Sequence, residues 1–148
     1  MITGLALTTV WVFDQDSAKE FFTEKLGLEL RDDMTFGEGG MRWLTVGAKN
    51  QPDLRLTLMV PAPPTLDEES AEQLKALIAK GVLGAGAFHT DDCRAAYRDL
   101  SAKGVTFIQE PQERPYGIEA IFRDDSGNWY SLTEPSQELD LTKSWGDS

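Results

Sequence analysis

The stretch RPYGIEAIFRDDSGNWYSLTEP, residues 114–135, contains two strand-like runs that are joined by a turn. β-Branched and aromatic residues fill both runs, as is typical of strands. The turn DDSGN (124–128) places Gly127 where a positive φ is needed. The turn lacks the lysine and the following helix of a phosphate-binding loop. The stretch therefore predicts two consecutive strands, and the second of them ends on a proline.

The same order of elements occurs twice along the chain. In each half, a strand, a helix and three further strands are predicted from hydrophobic periodicity and from β-forming residues. The spacing from Asp14 to Gly27 in the first half equals the spacing from Asp91 to Gly104 in the second. We infer an internal duplication of one βαβββ unit.

These patterns predict one domain, residues 1–148, that contains two modules. The first module is residues 3–61 and the second is residues 84–136. A proline-rich linker and a helix (62–83) join them, and residues 137–148 form a tail.

Two capping-box patterns are expected to begin helices. Ser17 with Glu20 has this spacing in the first module, and Thr65 with Glu68 has it in the linker. In the tail, Trp145 is unusual for a free segment, and we expect it to dock on another surface, such as a second subunit.

Composition and charge restrict the possible functions. The chain is 41% hydrophobic and 26% charged, which indicates a folded protein. The net charge of −11 disfavours nucleic acid and anionic membranes as partners. No apolar run is long enough to span a bilayer, and no signal peptide is predicted at the start. The single cysteine, Cys93, cannot form an internal disulfide, and this suits the cytoplasm, the location that we expect.

The paired modules resemble the vicinal oxygen chelate superfamily, which includes glyoxalase I, extradiol dioxygenases and bleomycin-resistance proteins. The resemblance covers about residues 3–136, and three pieces carry it: FFTEKLGLEL (21–30), AAYRDLSAKGVTF (95–107) and RPYGIEAIFRDDSGNWYSL (114–132). It implies an α+β fold in which each module curls a mixed sheet around a cavity, with helices on the outer faces. It also implies a homodimer.

Chelating members of that superfamily bind a divalent metal with His, Gln or Glu at four strand positions. The resemblance places these positions at Leu7, Thr57, Ala85 and Ser131. None of the four is a usual metal ligand, and the chain has one histidine, His89. We therefore predict a protein without a metal or another cofactor.

Alternation along the strands predicts which side chains face the cavity. On strands with a ligand position, the residues that alternate with it are expected inward; on the other two strands, the residues opposite the core-like Leu44, Val46, Ala120 and Phe122 are. The inward set is Leu7, Thr9, Trp11, Met41, Trp43, Thr45, Arg55, Thr57, Met59, Glu119, Ile121, Trp129, Ser131 and Thr133. The opposite set, expected under the helices, is Val10, Val12, Leu44, Val46, Leu56, Leu58, Ala120, Phe122, Tyr130 and Leu132. Tyr116 is expected at the rim. Tryptophans and Met59 suit a planar or apolar ligand, which Thr9, Thr57, Ser131, Arg55 and Glu119 would orient.

His89 and Cys93 are the two remaining candidates for chemistry. By strand parity His89 points inward, where it would contact ligand or act as a base with Glu119 or Asp91 as its orienting group. A single histidine at a strand end more often makes a structural hydrogen bond. Cys93 lies on the apolar stripe of its helix and is predicted to be a buried thiol.

These features predict a metal-free protein that binds a hydrophobic or aromatic molecule. Within the superfamily, the chain resembles the drug-sequestering branch, whose members hold bleomycin, mitomycin or enediynes and so confer resistance. A metal-independent enzyme of natural-product biosynthesis, or a glyoxalase-like lyase or dioxygenase, remains an alternative, with His89 or Glu119 as acid or base. A metalloenzyme with an unusual site and a pure interaction protein also remain possible.

Overall fold

A computed structural model describes residues 1–146 of the chain, which form two compact units. The first unit is Met1–Lys80, and the second begins at Gly81. Each unit contains one four-stranded mixed sheet, so the predicted α+β fold with two βαβββ modules is confirmed. Among residues 1–146, no helix combines the length and the hydropathy that crossing a membrane requires.

The first sheet has the strand order β1-β4-β3-β2. β1 and β4 are parallel, and the other neighbours are antiparallel. Helix α1 continues directly into one π-helical turn, Phe21–Lys25. The elements of this unit are β1 (Leu7–Trp11), α1 (Gln15–Glu20), β2 (Glu29–Thr35), β3 (Arg42–Gly47), β4 (Arg55–Met59) and α2 (Glu68–Lys80).

The core of the first unit lies between this sheet and α1 with its π-helical turn. Ala18, Phe21 and Phe22 are buried on the helical side, and the two phenyl rings meet edge to face at 5.3 Å. Each fully buried large apolar side chain contributes about 1.5–3 kcal/mol. Val10, Leu44, Val46 and Leu58 are buried as alternation predicted, and so is Val12 just after β1, whereas Leu56 is half-buried. On the opposite face of the sheet, Thr45, Thr57 and Met59 are buried as well.

Both helix starts differ from the predicted capping boxes. The Asp14 carboxylate caps α1 by accepting a hydrogen bond from Ser17 N at 2.8 Å. Ahead of α2, the Asp67 carboxylate accepts from Ser70 N, also at 2.8 Å. Thr65 lies outside that helix. An aspartate accepts the free N–H groups of the first turn as well as a serine does, and its charge also favours the helix N-terminus.

The second sheet has the strand order β5-β8-β7-β6, with β5 and β8 parallel. β6 continues through Pro111 to Arg114. The pairing of β6 with β7 is irregular between Gln109 and Gln112, which is where a sheet tolerates a proline. The elements of this unit are β5 (Gly84–His89), α3 (Cys93–Ala102), β6 (Phe107–Arg114), β7 (Gly117–Arg123) and β8 (Trp129–Pro135).

Aromatic rings dominate the core of the second unit. Phe122 and Tyr130 stack at 5.2 Å, and Phe88 lies 5.6 Å from the Tyr130 ring. Cys93 is buried as predicted, and burial raises the pKa of its thiol. Its Sγ donates to Leu132 O at 3.4 Å, so the thiol belongs to the contact between α3 and the sheet.

The turn between β7 and β8 is organised by the carboxylate of Asp124, which is 6% exposed. One oxygen accepts from the backbone N–H groups of Ser126, Gly127 and Asn128 at 2.9–3.1 Å. The other accepts from Asn128 Nδ2 at 2.9 Å and from Tyr130 Oη at 2.7 Å. Gly127 has the predicted positive φ, +113°. Burial, reinforced by Asp124, raises the pKa of Tyr130 far above its usual value.

Candidate ligand-binding site

The candidate residues of the first unit lie on the sheet face opposite α1. Strand pairing places Thr9, Thr57 and Thr45 in one row across β1, β4 and β3, and Asp32 of β2 extends it. The neighbouring rows pair Leu7 with Arg55 and Trp11 with Met59. We name this surface the Thr57 face; its members are Leu7, Thr9, Trp11, Asp32, Met34, Trp43, Thr45, Arg55, Thr57 and Met59.

The hydroxyl of Thr57 is the least satisfied polar group on this face. Thr57 is 1% exposed, and its Oγ1 has no hydrogen-bond partner among residues 1–146. By contrast, Thr45 Oγ1 donates to Asp32 at 2.6 Å, and Arg55 Nε donates to the same carboxylate oxygen at 3.2 Å. A buried polar group without a partner costs about 1–3 kcal/mol, so the Thr57 hydroxyl is a candidate for ligand contact.

Sequence reasoning missed Asp32. The register of β2 against β3 shifts between Leu30 and Asp32, so simple alternation along β2 does not predict which way Asp32 points. The shift brings its carboxylate to Thr45 and Arg55. The charge of Arg55, predicted as a free ligand contact, is therefore partly compensated within the unit.

The apolar part of the Thr57 face remains partly open. Trp11 and Trp43 are half-buried, and Met34, which pairs with Trp43 across the strands, is 46% exposed. At one end of the face, Met59 and Met41 help to line an open cavity of about 390 Å³. This volume falls in the range of small-molecule sites.

The second unit presents its candidates on the sheet face opposite α3. Ser131 pairs with Ala87 on one side and Ile121 on the other. In the next row, Thr133 lies between His89 and Glu119. We name this surface the Ser131 face; its members are Ala87, His89, Glu119, Ile121, Trp129, Ser131 and Thr133.

Glu119 is the centre of the polar contacts on this face. Its carboxylate accepts from Tyr116 Oη at 2.8 Å and from Ser131 Oγ at 2.6 Å, and Ser131 also contacts Thr133 Oγ1 at 2.8 Å. Arg114 Nε lies 3.9 Å from the same carboxylate. Burial raises the pKa of Tyr116, and the hydrogen bond to Glu119 raises it further. We name Tyr116, Glu119, Ser131 and Thr133 the Glu119 cluster.

Two features of this cluster depend on the β6–β7 hairpin. Tyr116 lies with Pro115 in the two-residue turn between the strands, so its hydroxyl reaches back to Glu119 on β7. Arg114, which sequence reasoning missed, is 4% exposed at the end of β6 and donates to Gln109 Oε1 at 3.1 Å. The extension of β6 to Arg114 brings this cation to the cluster.

His89 lies on the face that strand parity predicts, whereas Ala85 does not follow the parity argument. His89 is exposed, and it is separated from Glu119 by one intervening strand, a backbone distance of about 9–10 Å. Glu119 already bonds Tyr116 and Ser131, so it does not orient His89. Ala85 lies at an irregularity between Gly84 and Gly86, and the residue opposite Ser131 is Ala87.

The predicted site residues of the two faces differ in how far their side chains are exposed. Thr57 and Met59 are buried. Thr9 and His89 are exposed. The half-buried residues are Leu7, Trp11, Trp43, Arg55, Tyr116, Glu119, Trp129 and Ser131.

Trp129 is held in place by a glycine on the neighbouring strand. Gly84 pairs with Trp129, and a Cβ at residue 84 would lie 2.5 Å from Cζ2 of the indole. Aromatic rings pack closely on a strand glycine because that position has no side chain. We therefore expect Gly84→Ala to displace the indole, change its fluorescence and cost about 1–3 kcal/mol of stability.

Emission spectra and thermal unfolding of Gly84→Ala test this expectation. Gly4→Ala is the control, because nothing lies within 4 Å of a Cβ at that position. The spectral change should vanish when Trp129 is also replaced by phenylalanine. Identical spectra for wild type and Gly84→Ala would contradict the packing of this ring on the glycine.

The residues at the family's metal positions do not fit a divalent metal. Leu7 and Ala85 have no lone pair, Thr57 and Ser131 provide only neutral hydroxyls, and Ser131 already donates to Glu119. Within residues 1–146, no three His, Cys, Asp or Glu side chains lie close enough together to hold a metal ion. Instead of metal ligands, the Thr57 face presents aromatic, sulfur and hydroxyl groups, and the Ser131 face presents an aromatic ring, hydroxyl groups and one carboxylate.

Residues 4–132 match the model of the Glyoxalase/Bleomycin resistance protein/Dioxygenase superfamily, and the chain belongs to this superfamily. Among solved structures, it is similar to UcmS2, with 54% identity and a TM-score of 0.84 over 90% of this chain and 99% of the other. It is also similar to TnmS3, described as an antibiotic binding protein from Streptomyces sp. CB03234, with 32% identity and a TM-score of 0.71 over 91% and 98%. A relative in Bacillus subtilis, the uncharacterized protein YurT, is 32% identical over 88% of this chain and 98% of its own length.

Proposed function

We propose that this protein binds a hydrophobic or aromatic natural product without a metal and sequesters it unchanged. The observation that carries the proposal is the placement of three half-buried tryptophans: Trp11 and Trp43 on the Thr57 face and Trp129 on the Ser131 face. These rings keep accessible surface on the sheet faces opposite α1 and α3, where a flat ligand can stack on them.

The relatives support the same class of ligand. TnmS3 is described as an antibiotic binding protein, and the similarity to it extends over nearly the full length of both chains. Antibiotics of the bleomycin, mitomycin or enediyne type are the ligands that we propose. The biological role would be self-resistance in the cytoplasm, and the working form would be a homodimer that completes the pocket.

A protein that sequesters its ligand unchanged works only by binding that ligand tightly. A dissociation constant of 1 nM corresponds to about −12 kcal/mol. Each aromatic stack contributes about 0.5–1.5 kcal/mol beyond the burial of area, so the tryptophans supply part of it and apolar burial must supply the rest. The Thr57 hydroxyl would orient a ligand on the Thr57 face, and the Glu119 cluster would orient a ligand on the Ser131 face.

The test is a fluorescence titration of chelator-treated protein with bleomycin, mitomycin C and an aromatic enediyne, followed by mass spectrometry of the recovered ligand. We expect saturable quenching by at least one compound, an unchanged ligand, and the same affinity in protein that was not treated with chelator. Recovery of a converted ligand would overturn sequestration in favour of an enzyme and would direct mutagenesis to Glu119 and His89. Affinity that requires an added metal would overturn the metal-free site.

A further inference from the structure

The C-terminal segment is tied to the β6–β7 hairpin. We name residues 136–146 the C-terminal strap. Ser136 N donates to Tyr116 O at 2.9 Å, and Asp140 N donates to Pro115 O at 2.7 Å. Both acceptors belong to the two-residue turn that carries the Tyr116 side chain. The strap therefore follows the same turn that places Tyr116 in the Glu119 cluster.

Further contacts shape the strap beyond Asp140. The carboxylate of Asp140 accepts from Thr142 N at 3.1 Å and from Thr142 Oγ1 at 2.6 Å, which closes a tight turn. Lys143 Nζ lies 3.7 Å from Glu113 on β6 and 4.0 Å from Asp140. Exposed ion pairs contribute about 0–1 kcal/mol each, so the backbone bonds and the Thr142 turn mainly fix the path.

This path brings Trp145 to the Glu119 cluster. The side chain of Trp145 lies beside the hydroxyl of Tyr116, which donates to Glu119 at 2.8 Å. Nevertheless, Trp145 is 76% exposed. Most of its ring therefore faces solvent, and an indole ring has a large apolar surface to bury.

We propose that Trp145 forms a wall of the ligand site on the Ser131 face, and that the C-terminal strap carries it there. This inference rests on the proposed binding of a hydrophobic or aromatic ligand. The ring is placed beside a half-buried polar cluster, and its free side can stack on a ligand that the cluster orients. The strap thus adds a second tryptophan, besides Trp129, to the Ser131 face, and it does so from outside the βαβββ module.

The test compares ligand affinity in Trp145→Ala, Trp145→Phe and Leu141→Ala. Because Trp145 is exposed, its replacement should leave thermal unfolding unchanged. We expect about tenfold weaker binding for Trp145→Ala, consistent with the loss of one stacking contact of about 1.4 kcal/mol. Trp145→Phe should lose less, because a ring remains. Leu141, on the same strap and 83% exposed, makes Leu141→Ala the matched control, with unchanged affinity.

Acrylamide quenching of Trp145 fluorescence gives a second measurement, which reports on the indole ring directly. The tryptophan emission that is lost in Trp145→Phe should be quenched by acrylamide in the free protein and protected in the complex. Equal affinity of wild type and Trp145→Ala, with Trp145 still open to acrylamide in the complex, would overturn the inference and leave the proposed function intact. If wild type bound none of the three compounds, the proposed function would fail, and this inference would fail with it.

Discussion

Replacing Asp124 with alanine should lower the free energy of unfolding by about 3–5 kcal/mol. The carboxylate accepts hydrogen bonds from three backbone N–H groups, from Asn128 Nδ2 and from Tyr130 Oη, and it is almost fully buried. Removing it takes the acceptor away from these donors, although Gly127 N keeps a bond to the backbone oxygen of residue 124 at 3.3 Å. Each buried donor that is left without a partner costs about 1–3 kcal/mol unless water enters. The Tyr130 hydroxyl would lose its anchor at the centre of the aromatic core.

Urea unfolding followed by circular dichroism measures this effect. Asp124→Asn should give an intermediate loss, because one amide oxygen still accepts hydrogen bonds while the amide nitrogen cannot. Asp53→Ala, in another turn, is the control, and at this exposed position we expect a change within about 0.5 kcal/mol. Equal midpoints for Asp124→Ala and Asp53→Ala would show that the turn between β7 and β8 does not depend on the Asp124 carboxylate.

The parts of the fold that follow from local periodicity could be predicted from the sequence. Alternation along β1, β3 and β4 separated the core residues, such as Val10, Leu44 and Leu58, from the opposite face. The duplication of the βαβββ unit gave the order of elements in both sheets. These predictions succeed because the period of a strand and the period of a helix depend on the backbone alone.

The parts that depend on register could not be predicted in this way. Asp32 reaches Thr45 only because of the irregular pairing in β2, and Ala85 lies at a similar irregularity in β5. Asp14 and Asp67 cap their helices although a Ser or Thr with a Glu three residues on has the spacing of a capping box. Several polar residues compete for each such role, and the final geometry selects among them.

The polar side of the candidate site is a tertiary arrangement. Alternation identified Glu119 and Ser131 separately, but their 2.6 Å hydrogen bond requires the pairing of β7 with β8. Tyr116 joins them only because the hairpin turn has two residues, and Arg114 only because β6 continues through Pro111. Sequence patterns therefore predict the members of such a cluster better than their contacts.

Replacing Trp11 and Trp43 together with leucine should weaken ligand binding about 100-fold while leaving the fold intact. The two rings lie on the Thr57 face, away from the core under α1, and both keep accessible surface. Two stacking contacts of up to about 1.5 kcal/mol each give about 3 kcal/mol, which corresponds to a factor of about 100. Calorimetric titration with the compound that wild type binds measures the change.

The control for this pair is Trp11→Phe with Trp43→Phe, which keeps an aromatic ring at each position and should lose less than tenfold. The heat-capacity change of ligand binding should also be less negative for the leucine variant than for wild type, because less apolar area is buried on binding. If the leucine variant bound as tightly as wild type, the rings of the Thr57 face would be packing residues, and the ligand would have to rest on the Ser131 face. If both variants lost affinity equally, the indole N–H groups or the larger indole area would carry the binding, because a phenyl ring would then be no better than leucine.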